Sequence, residues 1–107
     1  MKNIGELISK AQKVQSQMSI LQAKMEQQEF SGEAGNGAVK LVMTGKGIPV
    51  SIKVDKSVVD PNDVETLEDL LLVAIKNTRE TIDNYMESEM ERIQTSLGLP
   101  PGFKLPF

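Results

Sequence analysis

The 107-residue sequence has no cysteine, no histidine and no tryptophan. Without cysteine there can be neither a disulfide framework nor a thiolate nucleophile. Without histidine, the commonest metal ligand and the commonest general base are both missing. Carboxylates are present, but none has the spacing of a metal loop or a catalytic motif. No catalytic residue, metal site or cofactor is expected. No run of about 18 apolar residues occurs, so no helical membrane span is expected. The first 21 residues mix charged and apolar side chains and lack a signal-peptide core, which points to the cytoplasm.

Aromatic residues are scarce: Phe30, Tyr85, Phe103 and Phe107 are the full set. A chain of single-domain length with so few large side chains buries a modest core. Long helices on such a chain leave apolar surface for a partner, and a homodimer is the simplest way to cover it.

The net charge of −3 argues weakly against a nucleic-acid partner, but the charges are segregated. Lys2, Lys10, Lys13 and Lys24 face only Glu6 in the first 24 residues. Lys40, Lys46, Lys53 and Lys56 face only Asp55 in residues 38–56. Residues 60–92 hold ten acids against Lys76, Arg79 and Arg92. The first half is basic and the second acidic.

Periodicity divides the chain into five elements. Ile4, Leu7, Ala11, Val14, Met18, Leu21 and Met25 recur at steps of three and four, a heptad pattern for a helix over residues 2–29. Gly32, Gly35, Asn36 and Gly37 then mark turns, with a short strand over about 30–34. Residues 35–37 suit a tight turn requiring positive φ. The glycines lack the lysine and following helix of a phosphate-binding loop.

Val39, Leu41 and Met43 alternate with polar positions over 38–44. Ile48, Val50, Ile52 and Val54 do so over 48–54. These are two half-buried antiparallel strands, and Pro49 marks an edge or a bulge. Asp60 and Pro61 read as the cap and first residue of a helix over 61–97, and Gly98 as its C-terminal stop. The fold class is α+β, an α-β-β-β-α subunit in one domain spanning 1–107. The apolar tail 99–107 is expected to dock on a helix as a clasp.

On a wheel of the first helix, with Met18 at zero, Lys2, Lys13, Lys24 and Lys10 fall at roughly 200°, 220°, 240° and 280°. They form one outward stripe, either a solvated face or a ridge that contacts phosphates. The second helix gathers Glu65, Asp69, Glu80, Asp83, Glu87 and Glu91 on one side. That ridge would repel a phosphate backbone. A different class also fits: a small acidic dimeric protein-binding chaperone or adaptor without DNA binding. A purely structural coiled-coil scaffold is a third. The six methionines fall at core spacing, so core filling explains them better than a binding groove.

Several short runs resemble one family. They are Lys10-Ala11-Gln12-Lys13-Val14-Gln15, Ser31-Gly32-Glu33-Ala34-Gly35, Gly37-Ala38-Val39-Lys40-Leu41, Leu67-Glu68-Asp69-Leu70 and Leu99-Pro100-Pro101-Gly102-Phe103. In this order and spacing the chain resembles the YbaB/EbfC nucleoid-associated proteins. The resemblance implies a tweezer-like homodimer that binds double-stranded DNA with little sequence specificity. It implies a nucleoid location and a role in nucleoid organisation and gene regulation. It places DNA contact on the projecting helices, at Lys10 and Lys13, to which the wheel adds Lys2 and Lys24.

Overall fold

The heptad pattern of the first segment forms helix α1, Ile4–Gln27, in a computed structural model that describes residues 4–98. Strands β1 (Glu29–Ala34), β2 (Val39–Thr44) and β3 (Pro49–Val54) follow, then a single 3₁₀ turn at Lys56–Val58 and helix α2, Val64–Ser96. The element order is the expected α-β-β-β-α. Lys2 and the tail 99–107 lie outside the described residues.

The strands form an antiparallel meander in the order β1-β2-β3. Phe30, Gly32 and Ala34 pair with Met43, Leu41 and Val39, and these six positions share the inner face. Residues 35–37 make the β1–β2 turn with φ of 62°, 56° and 88°, a region that glycine and asparagine enter at least cost.

Helix α2 crosses the inner face above β1 and the adjoining part of β2, burying Ala74, Thr78 and Ile82. Gly32 allows the approach, and the Asn77 side-chain amide donates to the Glu33 carbonyl at 2.8 Å. Beyond the sheet, α1 packs along the C-terminal half of α2 through Val14, Met18, Leu21 and Met25, with Ile93 fully buried. Phe30 meets Tyr85 edge-on, with ring centroids 5.2 Å apart. The Gly45 amide donates to the Met25 carbonyl at 2.8 Å and fastens the β2–β3 turn to the end of α1.

Four expectations need correction. Asp60 does not cap α2: its carboxylate accepts from the Asn62 amide in a local turn that includes Pro61. The cap is Asp63, which accepts from the Thr66 amide and hydroxyl. Helix α1 stops at Gln27, because Glu29 already pairs with Thr44 in the sheet. The register shifts at Val42/Met43, so Pro49 pairs with Met43 while Ile52 pairs with Leu41. Ile48 therefore leaves the face shared by Ile52 and Val54. Finally, the β3 stripe is not half-buried: every β3 residue is exposed, because α2 stops short of it.

The molecule measures 71 × 24 × 17 Å and has a radius of gyration of 19.4 Å. A compact chain of this length would have a radius near ~13 Å. The excess comes from helices longer than the sheet can cover. At the free end of α1, Ile4 and Leu7 are 65% and 59% exposed.

Candidate nucleic-acid interface

The C-terminal half of α1 is anchored on α2, and its N-terminal turns protrude with polar and apolar side chains in water. Lys10 and Lys13 lie one turn apart near the start of the anchored stretch. Lys13 is exposed and has no ion-pair partner among the described residues. Lys10 is half-buried, with its Nζ 3.9 Å from Glu6 Oε1. A long, partly solvated pair one turn apart is weak and easily exchanged for a phosphate.

Lys24 stands about 17 Å farther along the axis. Its Nζ lies 5.3 Å from the centroid of the Tyr85 ring. Hydrogen bonding to the Tyr85 hydroxyl, then the charge of that group, raises the Lys24 pKa above the usual lysine value. Desolvation opposes the rise, Glu89 adds to it, and Arg92 works against it. Lys24 is thus a permanent cation near neutral pH, tethered to α2 through an aromatic ring. Tyr85 was not legible as its partner, because the register between two helices is not written in either one.

The structure thus divides the expected stripe. Lys10 and Lys13 come together, Lys24 is held apart at the helix–helix seam, and Lys2 is outside the described residues. The α2 carboxylates Glu65, Asp69, Glu80, Asp83, Glu87 and Glu91 are all exposed. Ion pairs engage few of the α2 acids: Asp83 with Arg79 at 3.7 Å, and Glu89 with Arg92 at 3.2 Å. An anionic rod would meet this ridge as a barrier and α1 as the favourable approach.

A second surface adjoins the first. On the inner face, β3 reaches past α2 and leaves Val50 and Ile52 49% and 50% exposed. With Leu41, Met43 and Ile75 they line an apolar groove of about 380 Å³. Leu72 and Val73 of α2 are exposed as well. Among the described residues the outer edge of β3 carries no hydrogen-bonded neighbour strand. A free edge beside an apolar groove is a surface that a protein normally covers. Among the described residues no group of three or more acidic, histidine or cysteine side chains could hold a metal ion.

Comparison with known proteins follows the same lines. Residues 1–97 match the model of the YbaB/EbfC DNA-binding family. A nucleoid-associated protein of Rhodospirillum centenum is 43% identical over 107 residues, covering 100% of both chains. One from Paramagnetospirillum magneticum is 44% identical, again over the full length of both. A nucleoid-associated protein of Clostridium kluyveri is 42% identical over 101 residues, covering 94% of this chain and 89% of that one. Among solved structures, an uncharacterized protein from Helicobacter pylori shares the fold with a TM-score of 0.64 at 19% identity, covering 75% of this chain and 93% of that one.

Proposed function

The chain belongs to the YbaB/EbfC DNA-binding family, and from that premise we propose that it is a nucleoid-associated homodimer that binds double-stranded DNA with little sequence specificity. The observation that carries this reading is the pair Lys10 and Lys13 near the protruding end of α1. Lysines on a rod supply charge to phosphates without reading base edges, so affinity comes from counterion release and tolerates sequence. Lys24, at the seam between the helices, and Lys2, outside the described residues, complete the proposed set.

The free β3 edge and the Val50–Ile52 groove support the dimer. Joining two subunits there covers apolar surface that neither can bury alone, and it doubles the lysine ridge. The acidic face of α2, which composition also allowed as a protein-docking surface, then sets the direction from which DNA approaches.

Light scattering gives the assembly state, and gel shifts with a mixed-sequence duplex give the affinity. With the lysine ridges of both subunits engaged, affinity should drop on the order of 10³-fold or more between ~50 and ~200 mM salt. Equal affinity at the two salt concentrations would overturn the phosphate-contact reading.

A further inference from the structure

The second basic segment, residues 38–56, plays no part in the α1 interface. In the sheet its lysines are brought together. Lys40 of β2 and Lys53 of β3 are direct cross-strand partners, and both point to the outer face, away from α2. Like charges placed opposite one another in a ladder repel and destabilise the sheet. Among the described residues neither lysine forms an ion pair. Two acids share this face, Glu29 across from Thr44 at the far end of β1 and Glu33 across from Lys40, and the Glu33 carboxylate lies with the Lys40 stem beside Gly37. Ser31, Ser51 and Val42 complete a shallow concavity of about 550 Å³ that no helix of the described residues covers.

We propose that this outer face is a second duplex-contact surface, on which Lys40 and Lys53 together grip the DNA sugar–phosphate backbone. An anion between the two ammonium groups removes the repulsion that the empty pair carries. The face lies on the side of the sheet opposite α2, whose carboxylates are therefore a full layer away. At ~0.1 M salt, a separation near ~10 Å already screens most of their effect. Serine hydroxyls beside the lysines donate hydrogen bonds to phosphate oxygens. Lys46 in the β2–β3 turn and Lys56 just after β3 stand at the two ends of the hairpin. Val42, the one apolar side chain among them, offers no base-reading group, so the contact is with the backbone and not the bases.

The inference rests on the DNA-binding reading above, and its test separates the two. The slope of log affinity against log salt is measured on a mixed-sequence duplex for the unmodified protein, Lys40→Gln/Lys53→Gln and Lys40→Arg/Lys53→Arg. The glutamine pair should reduce the slope by about 2 per engaged subunit, and the arginine pair should keep it. The thermal midpoint of the glutamine pair should not fall, since a repulsion has been removed. Glu33→Gln leaves both lysines in place and should tighten binding. A salt-dependent parent whose slope is unchanged in the glutamine pair overturns the sheet-face contact alone. A parent that binds no duplex overturns the DNA reading and this inference with it.

Discussion

Thr78 of α2 sits against Gly32 of β1 so closely that a Cβ on the glycine would lie 2.5 Å from the Thr78 nitrogen and 2.8 Å from its Cα. The obstacle is helix backbone, which cannot rotate aside. Gly32→Ala should therefore push α2 off the sheet and cost about 2–3 kcal/mol, the upper part of the overpacking range. Urea unfolding measures it. A loss below ~0.5 kcal/mol would mean that the helix shifts at little cost.

The two aspartates before α2 should behave differently. Asp63→Ala removes the acceptor for Thr66 and should cost about 1 kcal/mol. Asp60→Ala removes only an exposed local bond to Asn62, and its effect should be smaller. Equal losses in thermal melts would contradict the cap assignment.

Ile52→Asp places a charge on the half-exposed apolar face of β3. It should leave the subunit folded by circular dichroism and convert the proposed dimer to monomer by light scattering. A dimer that survives the change would move the interface elsewhere.

Engagement ranks the α1 lysines. Among the described residues Lys13 has no ion-pair partner to leave, whereas Lys24 is tied to Tyr85. Lys13→Gln should thus lower the salt slope of duplex binding by about 1, and Lys24→Gln by less. The reverse order would show that the seam between the helices, not the free end of α1, meets the phosphates.

Asp55 accepts from the Ser57 amide at 2.8 Å, and hydrogen bonding to Ser57 holds its pKa below 3.8. A depressed carboxylate pKa stabilises the fold above the unfolded value, and the gain is lost as pH falls through the folded one. The stability difference between the parent and Asp55→Asn should be constant from about pH 5 to 8 and shrink below ~3.8. Denaturation at several pH values tests this, and a gap that widens in acid would refute it.

Local signals were legible where one element decides its own form. The alternation of Val39, Leu41 and Met43 specified β2 and its buried face, and Val14, Met18, Leu21 and Met25 marked the anchored half of α1. Signals failed where a second element decides. Ile4 and Leu7 continue the heptad, yet α2 ends before it can cover them. Ile52 and Val54 alternate as a buried strand does, but α2 lies over β1 instead. Gly32 read as a turn residue, although a glycine within a strand also signals close backbone approach. Asp60 was favoured as the cap because Pro61 suits a first helical position; the local turn used both residues before the helix began. The lysine stripe was visible on the wheel, while the pairing of Lys40 with Lys53 needed the strand register.

The 71 Å long axis also sets a scale for occupancy. Base pairs are spaced ~3.4 Å apart, so one subunit lying along a duplex would shade about 20 of them. Binding stoichiometry on long DNA should then saturate at a coverage fixed by helix length, independent of how many sequence-preferred positions the DNA contains.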